Sequence, residues 1–285
     1  MASSSLIAGF ICFSAVLVPA YAAEESHTPD LSGVWGRNTL EYGQPVSGPG
    51  PIKNIGIRLT AGDYKNPILK PWAAEIVEKM GDISRTGDAF PTAHNQCWPE
   101  PPPYIFGNRE TEILQLKDKV VLIYSHGSQV RTIRLNSAHP PKPAQSWYGD
   151  SIGHYEGDTL VVDTVAIKVA PLSTVDRYGT PHTDALHLVE RYSLIDPNST
   201  TAEARPVAGG FGRTEADDVI DRNYRGKALQ IAFTVDDPGT FNSPWSGIVV
   251  ARRARDLLIE DVCAEQVHDY ITGRDTAVPQ AKSGL

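Results

Sequence analysis

From residue 111 onward apolar and polar residues alternate with period two, and the runs 111–116, 119–126, 129–135, 151–156, 159–167, 186–195, 227–236, 246–253 and 257–263 read as β-strands. Only a few turn-forming residues separate several of them, notably Lys117-Asp118, Gly127-Ser128 and Gly157-Asp158, which favours antiparallel hairpins. Ahead of these runs, Asp30 to Trp35 reads as an opening strand and residues 43–56 as a glycine- and proline-rich loop. Helical spacing occurs convincingly once: Leu69, Trp72, Ile76, Val77 and Met80 predict a helix over 69–80, with Pro71 in the first turn and Gly81 at the stop. One helix cannot build a bundle. The prediction is therefore an all-β protein with one or two short helices, folded as an antiparallel β-barrel or strongly curved sheet of lipocalin-like type. The polar stretch 196–225 is an excursion from it, and the tail after Tyr270 is polar.

The chain has 285 residues, 41% hydrophobic and 21% charged, enough for one well-filled core. Residues 6–18 are apolar and are followed by Pro19 and the small-x-small pattern Ala20-Tyr21-Ala22. That predicts a secretory signal peptide over 1–22, a single domain over 23–285, and a periplasmic or secreted protein; the run is too short for ~30 Å of hydrocarbon, so no membrane insertion is expected after cleavage. Export would leave two cysteines, Cys97 and Cys263, which an oxidising compartment would join as one disulfide. The net charge of −8 and the short, interleaved basic clusters argue against nucleic acid as a partner. The partner expected is a small aromatic molecule, and a homodimer is compatible with this reading.

Alternation sorts the chemistry by face. In LHLVERYSL, Leu186, Leu188, Glu190, Tyr192 and Leu194 share one face, so Glu190 sits in an otherwise apolar row, as either a general acid–base group or half of a structural ion pair. Asp237 continues another apolar row but is equally part of an Asp-Pro-Gly turn. Histidines 94, 126, 139, 154, 182, 187 and 268 show none of the local spacings of a metal site, and none is assigned as a ligand. His139 and His182 lie on proline-stiffened loops. Ser151 fits the bare G-x-S-x-G spelling, but a strand follows it where a nucleophile elbow needs a helix. Trp98, Tyr104, Phe106, Trp147, Tyr148, Tyr155 and Trp245 could line a pocket or plug the barrel ends.

The run 131–192, with His139-Pro140, Ser146-Trp147, EGDTLVVDT and PHTDALHLVERY, resembles a large family of exported bacterial proteins, most of them without an assigned function. The likeness extends to Asp237-Pro238, Pro244-Trp245 and Glu260-x-x-Cys263. The chain departs from the family pattern at Asn136-Ser137-Ala138, His154 and Tyr155. A second resemblance is to cofactor-independent lyases that open phenylcoumaran rings of lignin-derived dimers, releasing carbon dioxide or formaldehyde.

Together these lead to one expectation: a lyase acting on a hydrophobic, lignin-derived aromatic molecule by acid–base catalysis, without a cofactor. Its candidate catalytic residues are Glu190 and His182 as acid and base, Arg131 or Arg191 as a clamp, and His139 as an auxiliary. Trp147, His154, Tyr155, Tyr192 and Trp245 are the candidate substrate contacts. The rival expectations are a non-catalytic lipocalin-like carrier, suggested by the opening L-S-G-V-W, and a metal-dependent hydrolase.

Overall fold

The computed structural model describes residues 28–36, 41–56, 61–86, 91–107, 110–125, 127, 129–197, 220–221 and 223–255. Residues 1–22, the run 257–263, Cys263, His126, His268 and most of 196–225 lie outside the described residues, so the expectations that rest on them, including the disulfide, lie outside as well.

The alternation does close into a barrel. Nine strands follow one another around it in chain order: β1 Gly33–Gly36, β2 Thr111–Gln115, β3 Lys119–Tyr124, β4 Gln129–Leu135, β5 Asp150–Glu156, β6 Thr159–Val165, β7 His187–Ile195, β8 Ala228–Asp236 and β9 Trp245–Arg253. Apolar residues at every second position turn inward, as Val120, Leu122 and Tyr124 do on β3, and they form one continuous core. The expected hairpins form at 116–118 and 157–158, the second with Gly157 at a φ of 59° that a side chain would resist.

One expectation is corrected. The barrel is mixed: β4 and β5 run parallel, with Ile133 opposite Ser151 and Leu135 opposite Gly153, while every other neighbouring pair is antiparallel. An odd ring of strands cannot alternate direction all the way round, so nine strands require at least one same-direction seam. The cost is a crossover, residues 136–149, that carries the chain back along the barrel wall. It begins at Asn136, whose φ of 51° suits an asparagine and whose N–H donates to the Gly153 carbonyl.

The helix, α1, runs Pro71–Thr86. It begins near the predicted proline but passes straight through Gly81, which is buried beside Ala61, and ends where the Thr86 hydroxyl donates to the Ile83 carbonyl. No described helix is long and apolar enough to cross a membrane.

Three connections, 37–110, 166–186 and 237–244, leave and re-join strands at one end of the barrel, and their described residues are tied together as a cap. Lys70 N–H donates to the Thr240 carbonyl, Asn242 N–H to the Ile68 carbonyl, and Ser246 N–H to the Pro49 carbonyl, while the Tyr42 hydroxyl bridges the carbonyls of Pro103 and Val175. Asp237 is the knot of this cap. Its fully buried carboxylate accepts from Thr183 N–H and Oγ1, Gly239 N–H and Thr240 Oγ1.

Candidate functional site

The inward rows place a charged pair in the middle of the apolar lumen. Arg131 from β4 and Glu190 from β7 are both essentially inaccessible, and they meet as a bidentate pair, Nη1 to Oε2 at 2.9 Å and Nη2 to Oε1 at 2.6 Å. Such a fork is the strong form of the contact, because both guanidinium hydrogens lie along carboxylate lone pairs. Arg131 Nε also donates to Ser151 Oγ at 3.1 Å and Nη2 to Thr164 Oγ1 at 2.7 Å. Glu190 in turn accepts the Tyr192 hydroxyl at 2.6 Å. Burial pulls the Arg131 guanidinium down, but the Glu190 carboxylate outweighs it and holds Arg131 well above its ordinary range. Burial, reinforced by the Glu190 charge, raises the Tyr192 phenol well above its own.

Beside this cluster lies a small cavity of about 20 Å³, part of it open to solvent. Trp35, Phe106, Tyr124 and Tyr192 give it aromatic walls, and aliphatic side chains such as Ile113 and Leu122 complete them. Tyr124 stacks on Tyr148 at 6.0 Å, and among the described residues the buried hydroxyls of both meet no partner in hydrogen-bond geometry. Tyr124 lies near enough to Arg131 to feel its charge, yet the two make no hydrogen bond of good geometry. Burial pushes the Tyr124 phenol up to about 12, Arg131 opposing.

The remaining candidates lie elsewhere. Arg191, next to Glu190 in sequence, points the other way and pairs with Glu156 on the outer face at 2.8 Å, where His154 also meets Glu156 at 3.1 Å. Tyr155 is on an inward position, and its hydroxyl accepts from Gln115 Nε2 at 2.7 Å. Trp147 is half-buried outside, edge-on to Trp98 and under Lys168 Nζ. Trp245 is buried against Tyr42, Phe233 and Phe241, at the capped end.

His139 belongs to a row on the outer wall. Its Nδ1 lies 2.5 Å from Asp150 and its Nε2 2.8 Å from Asp163, and Asp163 also meets His187 Nε2 at 2.9 Å. A histidine with a carboxylate on each nitrogen donates from both only as the cation. Burial lowers its pKa, but the hydrogen bonds to Asp150 and Asp163 prevail and raise it. Among the described residues no group of histidines, cysteines and carboxylates is arranged to hold a metal ion.

His182 sits in the cap, buried. Its Nδ1 donates to the Thr183 carbonyl at 3.0 Å, which leaves Nε2 to accept from Ser173 Oγ at 2.7 Å. Burial lowers its pKa, consistent with that neutral tautomer.

The structure thus brings together Glu190, Arg131 and Tyr192 and separates them from Arg191, His139, His154 and His182. The residues that sequence reasoning did not assign to this site, Tyr124, Ser151 and Thr164, were within reach of the same period-two rule, since each stands two positions from a core residue or glycine on its strand. What alternation does not supply is which rows face each other across the lumen.

Fold and site together define the class: a closed nine-stranded mixed β-barrel holding a buried arginine–glutamate–tyrosine cluster against an aromatic-walled cavity. Comparison with protein-family models, with curated proteins and with solved structures finds no match.

Proposed function

We propose that this protein is a cofactor-independent lyase that acts on a small, hydrophobic aromatic molecule of lignin type, by acid–base chemistry in the barrel cavity. One observation carries the reading. Tyr192 forms part of the cavity wall and, in the same position, hands its hydroxyl hydrogen bond to the Glu190 carboxylate at 2.6 Å. A tyrosine so placed relays a proton: as its oxygen takes one from a ligand carbon, its own hydrogen passes to Glu190. The electron pair of the broken C–H bond becomes the new double bond, the C–O bond opposite breaks with its pair on oxygen, and the proton returned through the same relay neutralises that oxygen. Arg131 holds Glu190 in register from behind.

The test is a panel of phenolic aryl ethers assayed by mass spectrometry. Tyr192→Phe should lower kcat by about 10²- to 10⁴-fold, with circular dichroism unchanged. Full activity in that variant would remove the relay. A second reading, a carrier without chemistry, is favoured by the bidentate satisfaction of Arg131 and Glu190, which also suits a purely structural pair. Ligand recovered unaltered after prolonged incubation and dialysis would select the carrier. We place the mature protein outside the cytoplasm, with its leader removed after Ala22, and N-terminal sequencing of the exported protein checks this.

A further inference from the structure

A closed barrel has no free strand edge, so another protein meets it on its loops or on the outer faces of its strands. Across β5, β6 and β7 the outward charges pair with one another, Glu156 with Arg191 and His154, and Asp163 with His139 and His187. The outer face of β2, β3 and β4 is different. Period two turns Ile113, Leu122 and Ile133 into the core and therefore sends Leu114, Val121, Ile123 and Val130 outward. Leu114 is 39% exposed, Val130 53%, and Leu116, in the turn after β2, 50%. The register makes them neighbours: Glu112 lies beside Ile123 and Val130 nearest the cap, Leu114 beside Val121 in the middle, and Leu116 beside Lys119 at the far end. Exposed apolar side chains that adjoin in this way mark a contact surface, whereas scattered single ones do not.

The charges at the two ends of this face indicate what covers it. Glu112 stands at the cap end, and Lys117 and Lys119 stand at the other, with Asp118 as the one opposite charge between them. Arg134, next to Lys119 on β4, is already held by Asp150. Among the described residues Glu112, Lys117 and Lys119 form no ion pair. A face with an apolar middle, an acid at one end and a net basic turn at the other is complementary to itself. A two-fold axis lying in the contact plane, across the strands, sets each end over the opposite end of a second copy. Leu114 and Val121 then meet their own copies at the centre, and Glu112 of each chain lies over the Lys117–Lys119 turn of the other. The two sheets stack face to face with their strands nearly aligned, a preferred packing of sheets.

We infer that this protein associates with a second copy of itself through the outer face of β2, β3 and β4. Three strands side by side have a footprint of only about 15 Å by 20 Å. That is well short of the ~800 Å² per partner of stable complexes, so the dimer forms and dissociates reversibly.

Sedimentation velocity of the full-length protein from about 1 to about 500 μM, at low salt, tests this. The wild type should pass from monomer to dimer as its concentration rises. Leu114→Lys sets two like charges together on the axis and should raise the dissociation constant at least about hundredfold. Its circular dichroism should be unchanged, because position 114 lies on the surface. Glu112→Lys alone, and Lys117→Glu combined with Lys119→Glu, should each give a monomer. Mixed in equal amounts, those two variants should form a one-to-one dimer, since both end contacts between them join opposite charges.

A wild type that stays monomeric at every concentration overturns the inference and leaves the face to a different partner. A dimer that withstands Leu114→Lys, or charge variants that associate no better mixed than apart, overturns it as well. No outcome depends on turnover, so the lyase stands or falls separately.

Discussion

Arg131 is a cation with almost no contact with water, and its stability depends on one partner. Removing one half of a buried pair leaves the other uncompensated, so Arg131→Met should destabilise the protein by about 3–5 kcal/mol, measured by urea unfolding. Glu190→Leu added to it should recover much of that loss, because the charge left behind disappears with it. A double variant no more stable than the single one would mean that the remaining hydroxyls of Ser151, Thr164 and Tyr192 carry the cost. That Glu190 occupies an apolar row was legible from alternation alone. Its partner was not: Arg131 could be listed as a candidate, but a distance of 59 residues along the chain becomes 2.6 Å only through ring closure and register. The same limit explains Arg191. Adjacent in sequence to Glu190, it had a claim to the site that the period of two cancels.

At the scale of elements, the parallel crossover 136–149 is the part that strand patterns did not foretell. Turn residues mark where a chain reverses, whereas a segment that travels the barrel length and re-enters in the same direction carries no local signal. What secures it is visible only in three dimensions: His139 donates to Asp150 and Asp163, Arg134 also holds Asp150, and His187 also holds Asp163. The pKa of His139 is raised in the fold, so its contribution is complete below the unfolded value near ~6.5 and is lost as pH rises through the higher folded value. Asp150, lowered first by Arg134, and Asp163, lowered by His187 and His139 against the effect of burial, contribute above ~3.9 and lose it as pH falls through their lower folded values. The Tm advantage of the wild type over His139→Asn should therefore be greater at pH 6 than at pH 9. Equal advantages at both would separate the histidine's charge from the clasp.

For the whole molecule, the predicted barrel, its hairpins and its single helix all stand, because each is written in local periodicity and turn chemistry. The cap was foreshadowed only as a loop rich in glycine and proline. Its organiser, Asp237, reads in sequence as a turn residue, and it is one, yet its carboxylate also gathers Thr183 from a segment over fifty residues away. Asp237→Ala should cost about 3 kcal/mol or more, since several buried donors lose their acceptor at once. Limited proteolysis should then cut within 166–186 or 237–244 before the strands, and cleavage no faster than in the wild type would mean that the cap is held elsewhere.

The same-direction seam also divides the molecule in two: β1 to β4 are successive antiparallel neighbours, as are β5 to β9, so the barrel consists of two meanders that meet at β4–β5 and β1–β9. Arg131 comes from the first meander, whereas Ser151, Thr164 and Glu190 all come from the second. Sliding β4 by one residue would turn the guanidinium to the outside and strand a carboxylate in the lumen. The pair therefore acts as a proofreader of assembly, penalising every misaligned closure by several kcal/mol and leaving one alignment in which the two halves can join.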